Sequence, residues 1–116
     1  MLGNTLRAEG TIKVDGVETP IKINMNSIRI MTQQFGIKLD ELDKFMSENE
    51  VEGICGLAYC GVKAAAAKSG QVYKVKYEKF CADFLEDEEG IQTVMELLSV
   101  SANGEEEGNT EESGNE

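Results

Sequence analysis

Histidine and tryptophan are absent from the 116-residue sequence, and proline occurs once, at Pro20. Without histidine, the chain lacks the side chain most often used for acid–base catalysis near neutral pH and for binding transition metals. It also contains no GxSxG nucleophile motif and no phosphate-binding glycine loop. These absences predict a protein that is not an enzyme and that uses no cofactor.

Cysteine is scarce, with three residues at Cys55, Cys60 and Cys81 and no CxxC pair. Cys55 and Cys60 are five residues apart, which places them roughly 140° apart around a helix, too far to share one ligand face. An odd number of cysteines without metal-ligand spacing favours reduced, buried thiols in a cytosolic protein. We therefore expect no metal site at these residues.

The acidic segment Leu85–Glu96 matches a calcium-binding EF-hand loop only in part. Gly90 and Glu96 fall at loop positions six and twelve, as that loop requires. Leu85, however, occupies position one, where an aspartate ligand is needed, and Gln92 occupies position eight. The segment is better interpreted as the solvated start of a helix, whose acids complement the helix dipole.

Negative charge dominates, with a formal net charge of −11. Six of the 22 acidic residues lie in residues 103–116, which contain no base. An acidic chain gains nothing from phosphate neutralisation and is repelled by anionic lipid, so neither nucleic acid nor a membrane is an expected partner. Residues 103–116 are also too polar to bury a core, which predicts a disordered acidic tail.

The most apolar stretch is residues 51–67, VEGICGLAYCGVKAAAA, in which Lys63 is the only charge between Gly53 and Ala67. Apolar residues occur on almost every side of a helix drawn through it, which is typical of a helix packed inside a fold. The stretch is slightly short for a membrane span and lacks basic or aromatic flanks. We therefore expect a central buried helix.

The remaining elements are predicted to surround this helix. A β-hairpin is expected at about residues 11–24, turning at Asp15-Gly16, with Pro20 on an edge strand. Asn26 or Ser27 is expected to cap the first helix, which ends at Gly36, and Asp40 to cap a short second helix. Residues 71–76 fit either a short strand or an extended link, two further helices follow, and the last runs from about 88 to 100. The predicted fold is mainly α, a single domain over residues 1–102 with four to five helices, an N-terminal hairpin and the acidic tail.

Four segments together resemble the tail assembly chaperones of long-tailed (siphovirus-type) bacteriophages. They are a short strand, IKIN; a capped helix ending in aromatic-glycine, NSIRIMTQQFGIKLDEL; a small-residue helix, GLAYCGVKAA; and YEKFCADFLED before a final helix. The resemblance covers residues 11–100 and lies in the order and spacing of the elements. Glycines and cysteines in the central helix depart from the usual Leu/Ala-rich version.

The resemblance implies a non-enzymatic role in virion assembly. Such chaperones bind the aggregation-prone, helical tape measure protein in the bacterial cytoplasm and keep it soluble until tail tube subunits polymerise around it. They are absent from the mature virion. Many are also made as a longer, frameshifted form whose extension recruits the tail tube protein.

A chaperone of this kind needs an apolar groove for amphipathic helices. We expect that groove between the first and central helices, lined by Ile28, Met31, Phe35, Ile54, Leu57 and Ala58. A charged residue at Leu57 or Met31 should then abolish partner capture and leave the fold intact. Close helix packing or self-association into a homo-oligomer is expected along a stripe of small residues, Gly53, Gly56, Cys60 and Ala64.

Two other functional classes remain open. The main alternative is a small acidic inhibitor or DNA mimic acting on a host DNA-binding protein, which needs a continuous acidic face on the folded part. A structural tail component, such as a tube or connector protein, would instead be rich in β-strands. The helical pattern over residues 26–100 argues against the structural component.

Overall fold

The computed structural model describes the backbone of residues 8–109 and the side chains of residues 8–99. It begins with an antiparallel hairpin of β1 (Ala8–Val14) and β2 (Val17–Ile23), in which Val14 pairs with Val17. Asp15 and Gly16 both have positive φ, 54° and 77°, as a two-residue type I′ turn requires. The predicted hairpin is therefore confirmed, although its first strand starts three residues before residue 11.

Helix α1 (Met25–Phe35) begins at a capping box that lies two to three residues before the predicted N-cap. Asn24 is the N-cap: its side chain accepts a hydrogen bond from the Ser27 backbone N–H at 2.9 Å, and the Ser27 hydroxyl accepts one from the Asn24 backbone N–H at 2.9 Å. The prediction of Asn26 or Ser27 as the cap was wrong, because β2 ends at Ile23 and the helix starts at once. Gly36 ends α1 with a φ of 64°, as predicted.

A single 3-10 turn (Leu39–Glu41) leads into helix α2 (Leu42–Glu48). Asp40 lies inside this turn, so its prediction as an N-cap was wrong. The Glu41 carboxylate instead accepts a hydrogen bond from the Lys38 backbone N–H at 2.8 Å. Phe45 and Met46 of α2 are half-buried and pack against the core.

Helix α3 (Glu50–Lys68) is the predicted central helix, and the hairpin, α1 and α2 pack against it. Its residues are buried on almost every side between Gly53 and Ala65. Lys63 is half-buried, with its ammonium 5.3 Å from the centre of the Tyr59 ring, where the aromatic face attracts the cation. The helix ends at Ser69, followed by Gly70 with a φ of 75°.

Residues 71–76 form an irregular link before helix α4 (Tyr77–Phe84) and helix α5 (Glu88–Asn109). Helix α5 packs along β1 and continues past Val100, where the sequence predicted its end. The backbone of residues 103–109 extends the helix although this stretch, NGEEEGN, contains two glycines and two asparagines, which are poor helix formers. Residues 110–116 lie outside the described part of the chain, and the disordered tail stays a prediction there.

The observed architecture confirms the predicted fold class: mainly helical, with an N-terminal two-stranded antiparallel hairpin. One hydrophobic core joins the inner face of the hairpin to α1, α3, α4 and α5. Its fully buried large side chains are Ile21, Ile23, Met31, Leu57, Val62, Phe80, Phe84 and Val94. Within the described residues, no helix combines the length and the hydropathy needed to span a bilayer.

Candidate functional site

The predicted groove between α1 and α3 is closed in this structure. Met31, Leu57 and Ala58 are essentially inaccessible to solvent, and Ile28 is also buried. These four side chains form part of the core, and only Phe35 and Ile54 of the predicted set are partly exposed. The interface leaves no room for a partner helix, because the two helices already bury these residues against each other.

Glycine explains how closely α1 and α2 approach α3. A Cβ atom added at Gly56 would lie 2.6 Å from Cζ of Phe35, and one added at Gly53 would lie 2.8 Å from Sδ of Met46. Neither separation is compatible with van der Waals contact, so the absence of a side chain is what admits Phe35 and Met46. The close helix packing predicted for this stripe is therefore realised within the chain.

The rest of the small-residue stripe is also buried. Cys60 and Ala64 are enclosed in the core. A third helix glycine, Gly61, packs on β2, where an added Cβ would lie 2.8 Å from Cγ1 of Ile21. The stripe of Gly53, Gly56, Cys60 and Ala64 is therefore not available for self-association in this structure. A second chain could reach it only if the fold opened.

An open apolar groove lies elsewhere, between the α2–α3 corner on one side and the α4 end with α5 on the other. Its volume is about 620 Å³, within the range of protein ligand sites. We call it the α3–α5 groove. It is lined by Asp43, Met46, Ser47, Glu50, Val51, Ile54, Leu85, Ile91, Met95 and Leu98.

Part of the exposed apolar surface of residues 8–99 is gathered in this groove. Of six large hydrophobic side chains exposed in the described residues, three line it: Val51, Leu85 and Met95, with 64%, 43% and 55% of their surfaces accessible. Single exposed hydrophobic residues are ordinary, whereas a cluster in one concave site marks a binding surface.

The charged groups at the groove are both acidic. Asp43 of α2 and Glu50 at the start of α3 are exposed and line its edge beside Ser47. Among the described residues that line the groove, none is basic. The site therefore combines an apolar floor with a negative edge.

Aromatic side chains fix α4 against α3 and so set the position of one groove wall. The Tyr59 hydroxyl donates a 2.8 Å hydrogen bond to the Val75 carbonyl, and the Tyr77 hydroxyl donates one to the Glu52 carboxylate. The Phe80 ring packs 5.3 Å from the Tyr59 ring, between centroids. These contacts hold the link and α4 in place, which positions Leu85 at the groove.

The thiols do not have the character of nucleophiles. Burial raises the pKa of the Cys55 and Cys60 thiols to about 12, and it also raises the pKa of Cys81. A protonated thiol is a poor nucleophile and a poor metal ligand. Within the described residues, no group of three or more His, Cys, Asp or Glu side chains could hold a metal ion.

Of the residues predicted to line a groove between the first and central helices, only Ile54 lines the α3–α5 groove. Ile91, Met95 and Leu98 recur at helical spacing, but periodicity identifies an apolar face and not what covers it. Val51 and Leu85 lie at the ends of apolar runs, where no local pattern signals a groove. Only the packing of α5 beside α3 brings these residues together.

Comparisons of the chain with protein-family models, with curated proteins and with solved structures found no match.

Proposed function

We propose that this protein is a non-enzymatic tail assembly chaperone of a long-tailed bacteriophage, which binds the tape measure protein and keeps it soluble during tail assembly. The observation that carries the proposal is the α3–α5 groove, with three exposed hydrophobic side chains on a helical scaffold. The identity of the partner is proposed from the order of segments in the sequence, which resembles that of this chaperone family.

The dimensions of the groove suit an amphipathic helix. Its α5 wall runs from Ile91 to Leu98, about 10 Å at 1.5 Å per residue. That length matches two turns of a docked helix, which would place apolar side chains at positions i, i+3 or i+4, and i+7. A long helical partner could present many such segments in succession.

The surface chemistry also supports a chaperone that keeps its partner in solution. Met46 and Met95 line the groove, and methionine adapts to irregular apolar surfaces better than branched side chains do. The net charge of −11 would keep a loaded complex soluble by repulsion between copies. On this proposal the protein acts in the bacterial cytoplasm and is not part of the mature virion. A longer, frameshifted form would recruit the tail tube protein.

Co-expression with the tape measure protein encoded in the same phage genome tests the proposal. We expect the tape measure protein to become soluble and to co-purify with the chaperone. The double variant Val51→Asn/Met95→Asn should lose this capture, because it removes two of the exposed apolar groups of the groove.

The matched control is Val17→Asn/Val72→Asn, which removes two exposed valines, 63% and 77% accessible, that lie outside the groove. It should capture the partner normally. If the tape measure protein stays insoluble with the wild-type chain, the chaperone function is wrong and the acidic-inhibitor alternative takes its place. If the groove variant captures as well as the control, binding lies at another surface.

A further inference from the structure

We infer that the segment bound in the α3–α5 groove is an amphipathic helix whose apolar face is flanked by lysine or arginine. The inference rests on the proposed function for the identity of the protein that carries this segment. The chemistry of the segment itself follows from the groove.

The floor of the groove selects for an apolar stripe. Met46, Ile54, Ile91 and Leu98 form a half-buried base, and Val51, Leu85 and Met95 stand exposed around it. A docked helix that presents leucine- or methionine-sized side chains on two successive turns would place apolar groups against them. Covering them removes apolar surface from water, which drives binding.

The edge of the groove selects for positive charge. Asp43 and Glu50 line it, and the base closest in sequence, Lys44, is exposed and outside the lining. A separate shallow depression on α5, which shares no lining residue with the groove, is also acidic, with Glu88, Glu89 and Glu96 and no basic lining residue in the described part of the chain. A partner with basic flanks is therefore complementary, and one with acidic flanks is repelled.

Two other occupants, a second copy of the chain and its C-terminal residues, are disfavoured by charge and composition. In a symmetric dimer formed through the groove, the acidic edges of two chains of net charge −11 would face each other. The C-terminal residues 110–116 contain three glutamates and no apolar side chain, so they do not match the apolar floor. A foreign segment of opposite charge, in contrast, fits both parts of the groove.

Three synthetic helices with one identical apolar face test the inference, with flanking positions that are all lysine, all glutamine or all glutamate. Their affinities for the full chain are measured by calorimetry at roughly 50 and 300 mM salt, since ionic screening separates exposed charge pairs from apolar contact. We expect the lysine helix to bind about tenfold more tightly than the glutamine helix at low salt. The glutamate helix should bind most weakly, and the differences should shrink at high salt.

The variant Asp43→Asn/Glu50→Gln should abolish the preference for lysine and leave the affinity for the glutamine helix unchanged. Its control is Glu18→Gln/Glu78→Gln, which makes the same change in net charge at two exposed residues outside the groove and should keep the preference. Loss of the preference in the control as well would assign it to the general charge of the protein and overturn the inference.

Equal binding of the lysine and glutamine helices overturns the inference, as does a stable dimer in sedimentation that Val51→Asn/Met95→Asn dissociates. A lysine preference that depends on Asp43 and Glu50 supports the inference even if co-expression shows that the tape measure protein is not the partner. Conversely, capture of the tape measure protein without any charge preference removes this inference and leaves the proposed function standing.

Discussion

Helix α3 has two apolar sides, of which one is covered by the rest of the chain and the other lines an open groove. Toward α1 and β2 its surface carries Gly56 and Gly61, and neighbouring side chains approach the backbone so closely that a single added Cβ would collide with them. Toward α5 it carries Val51 and Ile54, which line an open groove. The comparison indicates that glycine marks the side of this helix that is closed by its own chain, whereas Val51 and Ile54 lie on the side that stays open.

This difference also explains why a groove predicted between α1 and α3 is found one helix face away. Both sides satisfy the same helical periodicity, so a count of apolar residues does not separate them. Close packing distinguishes the two sides, because a close approach of two backbones requires small residues at the point of contact. Gly56 beside Phe35 is that signal for the closed side.

The largest expected difference between the two sides is the effect of replacing a methionine on the free energy of unfolding. Met31 is fully buried on the closed side, and Met95 is 55% exposed in the groove. Met31→Ala should lower the free energy of unfolding by about 2–5 kcal/mol, because it leaves a cavity. Met95→Ala should change it by no more than about 0.5 kcal/mol. Urea denaturation followed by circular dichroism measures both.

A charged residue at Met31 or Leu57 should therefore unfold the protein, and not merely prevent capture as the sequence alone suggested. Equal and small losses for Met31→Ala and Met95→Ala would mean that the α1–α3 interface is not closed in solution.

Gly61 tests whether close approach outweighs helix propensity. Alanine is favoured over glycine in a helix by about 1 kcal/mol, but a Cβ at Gly61 would lie 2.8 Å from Cγ1 of buried Ile21 and 3.1 Å from the Lys22 carbonyl oxygen. Overpacking of this kind costs about 1–3 kcal/mol. Gly61→Ala should thus lower the thermal midpoint despite the better propensity.

The exposed Ala67 of the same helix provides the calibration, since Ala67→Gly reports propensity without a packing change. If Gly61→Ala stabilises the protein by as much as Ala67→Gly destabilises it, the packing of β2 on α3 does not require a glycine at position 61.

A smaller effect is expected from pH. Burial raises the pKa of Cys60 to about 12 from an ordinary value of 9.0. The unfolded chain therefore loses this proton first, so the stabilisation is complete below pH 9 and is lost as the pH rises toward 12. At pH 9 the loss is about 0.4 kcal/mol, since half of the unfolded thiols are then ionised.

Cys60→Ala should make this part of the stability profile less steep, measured as urea midpoints at several pH values from 8 to 10, while Cys55, whose pKa is also raised to about 12, keeps its contribution. Parallel profiles for the wild type and the variant would show that the thiol is ionised as readily in the folded protein as in the unfolded chain.

The elements that the sequence predicted well are those specified by local backbone chemistry. Asp15-Gly16 requires positive φ in a tight hairpin turn, and Gly36 requires it at a helix end, whatever surrounds them. The N-cap was misplaced because Asn24, Asn26 and Ser27 are all residue types that cap helices well, and the end of β2 decides which of them does so. The groove was misplaced because it depends on α5 packing beside α3, a contact between residues about 40 positions apart that no local pattern encodes.

Methyl NMR of the methionines tests the central claim most directly. A helical segment of the tape measure protein is added to the chain labelled at the methionine methyl groups, and the shifts are compared between the two sides of α3. Binding in the α3–α5 groove predicts that the methyl signals of Met46 and Met95 move and that the signal of Met31 does not. Movement of Met31 with Met95 unchanged would contradict the account, because the partner would then enter the side that the fold closes.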